Sequence, residues 1–302
     1  MEQVMRRVVV TGLGVISPVG NNVESCWNSL TEGKNGIAPI TYFDTTEYKA
    51  KLAAEIKDFD AKEYMDKTEI LKSDRFTQYA MGAACQAVED SSIIGTIEPE
   101  RFAVYFGSGI GGIGTFSREH EKLMERGPSR VSPYFIPMLI ANMAAGAIAI
   151  RFNCQGAAIP AVTACASGSN AIGEAVRAIR HGYADAAITG GSEAPITDCG
   201  VAGFINIKAL SLSEDPDAAS LPFDKRRAGF VIGEGAGALE AIVCVKVLET
   251  GIVPPTINLK EPDPECDLNY VPNKAVKADI DMCLSNSLGF GGHNACLAFK
   301  RV

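Results

Sequence analysis

Histidine is nearly missing from this chain: His120, His181 and His293 are the three it has in 302 residues. That scarcity leaves few ways to build a metal centre or an imidazole proton relay. Cations are also in deficit, 28 Lys and Arg against 36 Asp and Glu, for a net charge of −8, and "KRR" at 225 to 227 is too short to make a basic stripe. A nucleic-acid partner, whose phosphates are held mainly by clustered Lys and Arg, is argued against. The nine cysteines are odd in number, scattered from 26 to 296 and never spaced as CxxC, which disfavours a disulfide framework and a zinc site and points to a reducing cytoplasm. Long apolar runs are lacking too. The most membrane-like stretch, residues 134 to 150, is short and carries Pro137 and Asn142, so a buried or interface helix from about Ser132 to Ile150 is expected and no membrane partner. Nucleotide signatures fail as well: "GLGVIS" from Gly12 lacks the third glycine of a dinucleotide loop, and no Walker A lysine occurs.

What is present is an alternation of short β-rich runs with longer helical patterns, the mark of an α/β sheet protein. "RRVVVTGLGV" reads as a first core strand rather than a signal peptide, followed by a helix around 23 to 33, a helix over 73 to 92 and the strand "RFAVYFGSG". After the helix over 132 to 150 come the strand "GAAIPAVTA", a helix from Cys165 to about Arg180 and the strand "DAAITGGSE". On the helix after Cys165, Ala171, Ile172, Ala175, Val176 and Ile179 fall on one inward stripe. The thirty glycines cluster at strand ends, where they permit tight turns and close backbone approach. One junction breaks local rules: "GFVIGEGAGAL" reads as extended to Leu239 and "EAIVCVKVLETG" as a helix from Glu240 stopped by Gly251, with none of the two to six linking residues such connections normally take.

Cys165 stands where an apolar extended run gives way to a helix. A sulfur there faces unpaired backbone N–H groups and the positive end of the helix dipole, which favours thiolate. The small Ala166, Ser167 and Gly168 behind it leave room for a bulky substrate. A buried, inert thiol is the alternative on local grounds, and for the other eight cysteines the preferred one.

"VTACASGSNAIGEAVRAI" resembles the active-site elbow of the β-ketoacyl-acyl-carrier-protein synthases. So do "RRVVVTGLGVISPVGNN", "FGSGIGG", "ITGGSEA", "LPFDKRRAGFVIGEGAGAL", "VPPTINL" and "LSNSLGFGGHN", in order along the whole chain. The resemblance implies a thiolase-like α/β fold, a layered αβαβα core built from two similar halves, usually as a homodimer. It also implies an acyltransferase of fatty-acid elongation that needs no cofactor or metal. An acyl chain passes from acyl-carrier protein to a cysteine, and malonyl-acyl-carrier protein loses carbon dioxide and condenses with it. By matching motif, Cys165 is the nucleophile, and its N–H with that of Phe290 forms an oxyanion hole. Phe290 also gates the site, Ile110 and Phe204 line the acyl pocket, where each buried CH₂ offers about 0.8 kcal/mol, and Lys67 and Lys72 receive the carrier protein.

The resemblance also exposes a gap. The family's two histidine motifs, like "NAHGT" and "TGHLLGAAG", do not occur, and the chain passes from "GAGAL" directly to "EAIVCVK", omitting on the order of a hundred residues at the junction that loop lengths already mark as irregular. The expected organisation is an N-terminal half, residues 1–239, and a remnant of the C-terminal half, residues 240–302, so that the second half is incomplete. Its pieces "PPTINL", "DMCLSNSL" and "NACLAFKRV" are expected to pair with one another while first-half strands lose partners. None of the three histidines is a good substitute base: His120 lies in a charged helical stretch, His181 at the far end of the Cys165 helix, and His293 in "GGHN". Acylation is expected to survive and condensation to be poor. A noncatalytic partner of such enzymes is the alternative, which retention of Cys165 opposes.

Overall fold

The structure, a computed structural model, describes residues 6–302. Its first helix starts where the Asn22 side chain accepts the Ser25 N–H at 2.8 Å, and α1 runs Val23–Thr31. Strands β1 (Ala38–Pro39) and β2 (Leu52–Ala53) pair antiparallel beside it in sequence. Asp66 and Glu69 form a capping box on α2 (Lys67–Leu71), and Asp74 caps α3 (Arg75–Ser91). Strand β3 (Phe102–Gly107) is buried at every position, as a central strand covered on both faces must be. Helix α4 (Ile113–Arg126) follows.

The single helix expected over 132 to 150 is two, α5 (Phe135–Leu139) and α6 (Met143–Arg151). The cause lies far away in sequence. The Leu139 carbonyl, which a continuous helix would offer to Met143, accepts the Gly112 N–H at 2.9 Å instead. The strand expected over 156 to 164 contracts to β4 (Ala158–Ile159) just before Pro160, which has no N–H to continue the ladder. A turn of 3₁₀ helix at Ala164–Ala166 leads into α7 (Ser167–Arg180), then β5 (Ala186–Glu193) and α8 (Asp198–Asn206). Strand β6 (Gly235–Gly237) is separated by Ala238 alone from α9 (Leu239–Thr250), which ends at Gly251 in the left-handed conformation, φ 67°. The remainder gives β7 (Ile252–Val253), β8 (Val276–Lys277), β9 (Met282–Gly289) and β10 (His293–Lys300).

The main sheet has the order β4-β3-β5-β6, with β3 parallel to β4 and β5, and β6 antiparallel to β5. Alternation along the strands fixes its two faces. Phe102, Val104, Phe106 and Ile188 pack against α3 and α6, while Ala103 and Tyr105 pack against Ala171, Ala175 and Ala178 of α7. Strands β9 and β10 form an antiparallel hairpin, so two of the three C-terminal pieces pair as expected; "PPTINL" contributes a single bridge, Thr256 with Pro272. The hairpin is tied to α7 by a buried hydrogen bond between Ser169 Oγ and Ser287 Oγ, 2.7 Å. No helix among the described residues is long and apolar enough to cross a membrane.

The expected first strand is not in the sheet. Residues 6 to 15, all of the expected strand, form no ladder, with Val9 and Val10 about half exposed. Ile16 alone bridges to Ala236 of β6. Beyond Gly237 the strand that would flank this segment turns away into α9.

Candidate active site

Cys165 is exposed, in the middle of the 3₁₀ turn that precedes α7. The residue before it, Ala164, takes φ 50°, a left-handed conformation that costs a non-glycine residue about 1–2 kcal/mol. Local hydrogen bonds hold the turn in that shape: Ser167 Oγ donates to the Ala164 carbonyl at 2.7 Å and accepts the Thr163 N–H at 2.9 Å, and Thr163 Oγ1 bonds Asn170 Oδ1 at 2.7 Å. The α7 N-terminus carries no side-chain cap, and its first N–H, that of Ser167, donates to the Ala164 carbonyl.

Two loops close on this turn. The loop after β3 wraps the Glu193 carboxylate, which accepts from the Gly109 N–H at 2.6 Å, Ser108 Oγ at 3.1 Å and the Ile110 N–H at 3.3 Å. Burial pushes the Glu193 carboxyl above its ordinary value, against the pull of those donors. The loop lies so close to the cysteine turn that a Cβ on Gly109 would stand 3.4 Å from Ala164 Cα and 2.9 Å from Glu193 Oε2. Ile110, partly exposed, is the next residue of this loop.

The β9–β10 turn closes the other side. A Cβ on Gly289 would stand 2.9 Å from the Thr163 carbonyl and 3.3 Å from the Ala166 nitrogen, so the backbone leading into Phe290 runs against the residues flanking Cys165. The Phe290 ring stacks on Phe204 of α8 at 6.4 Å between centroids, and Phe204 meets Phe230 edge-on at 5.8 Å. The loop carrying Ile110 and the turn carrying Phe290 thus each lie against the backbone flanking Cys165, and the Phe290 ring reaches Phe204.

The other expected residues lie apart. Lys67 and Lys72 flank the short exposed helix α2, with Lys72 Nζ 5.2 Å above the Tyr134 ring. His120 stacks on Phe116 of α4, and His181 caps the far end of α7, about 20 Å from its start. His293 is exposed at the start of β10, its ring near Gly291. Glu193, Ser167 and Asn170 escaped the sequence reading, although a lone carboxylate closing the glycine-rich strand "TGGSE" is the kind of signal that marks a buried loop anchor.

Residues 5–240 match the family model described as "Beta-ketoacyl synthase, N-terminal domain". A 3-oxoacyl-(acyl-carrier-protein) synthase 2 from Synechocystis is 36% identical over 408 aligned positions, covering 98% of each chain. This chain has 302 residues. Among solved structures, a β-ketoacyl synthase from Burkholderia phymatum superposes with a TM-score of 0.91 at 23% identity, covering 99% of this chain and 100% of the other, a likeness of fold. The ishigamide ketosynthase/chain length factor superposes with a TM-score of 0.90 at 25% identity and the same coverage. The layered α/β core is thus the thiolase-like one expected from sequence. The family match and the full-span relative together establish that the chain belongs to the β-ketoacyl synthase family.

Proposed function

We propose that this chain is an acyltransferase of fatty-acid elongation, a β-ketoacyl-acyl-carrier-protein synthase, that takes its acyl group onto Cys165. The observation that carries the reading is the convergence of the Phe290 turn and the Ile110 loop on an exposed cysteine at an uncapped helix N-terminus. The Cys165 thiolate attacks the thioester carbonyl of an acyl-carrier protein docked on Lys67 and Lys72. The N–H groups of Cys165 and Phe290 stabilise the oxyanion, and the carrier thiolate leaves and takes up a proton. Ile110 and Phe204 line the recess that receives the acyl chain. In the second half-reaction malonyl-acyl-carrier protein loses carbon dioxide, its enolate attacks the acyl-cysteine, and the Cys165 thiolate is released from the 3-oxoacyl product.

That second stage needs donors facing the enolate, and the family's histidine motifs are missing from the sequence. We infer an internal loss between Leu239 and Glu240, dividing the chain into an N-terminal half, residues 1–239, and a remnant, residues 240–302. The direct passage from β6 into α9 and the 408 positions of the relative's alignment support it. Loss of one such donor costs about 10²–10³ in rate, so acylation outruns condensation in this chain. Assembly as a homodimer and residence in the cytoplasm complete the reading. A noncatalytic, chain-length-modulating partner is the second reading, favoured by the missing histidines alone.

Acyl transfer and carbon dioxide release, followed in one mixture of acyl- and malonyl-carrier proteins, test the proposal. Stoichiometric acylation with little carbon dioxide supports it. Carbon dioxide and 3-oxoacyl product at rates matching acylation overturn the impairment, and no acylation at all supports the noncatalytic reading.

A further inference from the structure

A cleft of about 940 Å³ runs between the segment at residues 8 to 12 and the Ala187–Thr189 part of β5, away from Cys165. Its shape follows from where β6 stops. Gly191 of β5 pairs with Gly237, and on the opposite edge of β6 Ile16 pairs with Ala236, so β6 lies between two backbones. A Cβ on Gly190 would stand 2.7 Å from the Gly237 carbonyl, and one on Gly237 2.8 Å from the Gly14 carbonyl. Three backbones meet there at ladder spacing. Past Ala238 the chain departs into α9, and the cleft opens between the two outer backbones, lined also by Val245 and Leu248 of α9 and by residues 296 to 302.

Hydrogen-bond phase shows that these edges are prepared for a strand. Ile16 and Ala236 exchange both backbone bonds, Ile16 N–H to Ala236 at 3.0 Å and the reverse at 2.9 Å. Counting by twos, Gly14, Gly12, Val10 and Val8 direct their N–H and C=O groups to the same side, into the cleft. The intervening residues face the other way, and their donors are used: the Leu13 N–H donates to Asp90 at 2.9 Å and the Val15 N–H to Gln86 at 3.2 Å. Among the described residues no backbone hydrogen bond joins residues 8 to 12 to another strand. On the facing edge, Thr189 Oγ1 is enclosed without a partner.

Apolar side chains line much of the cleft, among them Val88 of α3, Ile172 and Val176 of α7, Leu248 of α9 and Phe299 of β10. Of the stripe read from sequence as inward, Ala171 and Ala175 are buried, whereas Ile172, Val176 and Ile179 are only partly so. Charged side chains line it as well, Arg177, Glu249, Lys300 and Arg301 among them. Arg180 and His181, at the α7 terminus that leads into β5, line the cleft, and Arg180 makes no ion pair among the described residues. A strand continuing the direction of β6 would run antiparallel to β5 and finish at the Arg180 end.

We propose that this slot accepts, by strand addition, an extended segment of another polypeptide whose apolar run ends in acidic residues. Main-chain bonds to Val10, Gly12 and the β5 edge supply the affinity, apolar side chains pack on the apolar part of the lining, and Arg180 reads the acidic end. The slot is separate from the chemistry proposed at Cys165, and a Cys165→Ser chain binds the segment equally well.

A fluorescent octapeptide of alternating valine and leucine ending in two glutamates is the probe. The expected result is saturable binding to the full chain, with slowed amide exchange at residues 8 to 12 and 186 to 189. Alternate N-methylation of the peptide weakens binding by about tenfold or more, through loss of main-chain bonds. Val10→Pro does the same without lowering the unfolding temperature of the free chain, because that N–H bonds nothing there. Arg180→Glu weakens the glutamate-ended peptide by about tenfold and is rescued by a lysine-ended one. Binding indifferent to N-methylation overturns the proposal, as does equal competition by palmitate. A free chain that sediments as a dimer with residues 8 to 12 already protected also overturns it, since the occupant would then be a second copy.

Discussion

At the scale of single residues, the site depends on backbone as much as on side chains. Phe290 carries two separable features: an N–H set beside the Cys165 turn by Gly289, and a ring stacked on Phe204. Replacing Phe290 by Ala removes the ring and keeps the donor; replacing it by Pro removes both. Single-turnover acylation of Cys165 is expected to fall by less than about tenfold for Phe290→Ala and by about 10²–10³ for Phe290→Pro. Equal losses would assign the effect to the ring. The cysteine itself was legible in sequence because a strand-to-helix boundary and a run of small residues are local signals. Glu193 was not, since its role arises from donors on Gly109 and Ile110, more than eighty positions earlier.

Elements are held in register by a few buried polar contacts. The Ser169–Ser287 bond links α7 to β9 and so fixes the Phe290 turn relative to the cysteine. Ser287→Ala leaves a buried hydroxyl on Ser169 without its partner and is expected to cost about 1–3 kcal/mol in chemical denaturation, while the double replacement by Ala costs less than that single change. Asp224 plays a similar part in "FDKRR". Fully buried, it accepts from Arg226 Nε at 2.8 Å and from the N–H groups of Lys260 and Glu261 at 2.9 and 2.8 Å, pinning the loop before β6 to the stretch after β7. The Arg226 guanidinium holds its carboxyl well below the ordinary 3.8. A depressed folded value stabilises the fold above pH 3.8, and that contribution fades as pH falls below it. Asp224→Asn is therefore expected to lower the denaturant midpoint at pH 7, with the gap to wild type closing below pH 3.8; a gap independent of pH would contradict this. Most elements were readable from periodicity, including α7, β5 and the β9–β10 strands. The break between α5 and α6 was not, because the Gly112 N–H that interrupts the helix comes from a different part of the chain.

Across the whole molecule, the fold is that of a β-ketoacyl synthase. The main sheet and its two helical faces carry Cys165 and Ile110, whereas Phe290 sits in the turn of a separate two-stranded hairpin, β9–β10. Residues 6 to 15 read as a core strand because Val8, Val9 and Val10 have strand character. A strand, however, needs a neighbour, and the neighbour stops at Gly237. The irregular junction was legible in sequence, and in three dimensions Ala238 alone links β6 to α9. The account rests above all on Cys165, and peptide mass mapping after incubation with an acyl-carrier-protein thioester tests it most directly. The predicted result is one acyl group per chain, on Cys165 alone among the nine cysteines and absent from Cys165→Ser; an unmodified Cys165, or an acyl group spread over other cysteines, would contradict it.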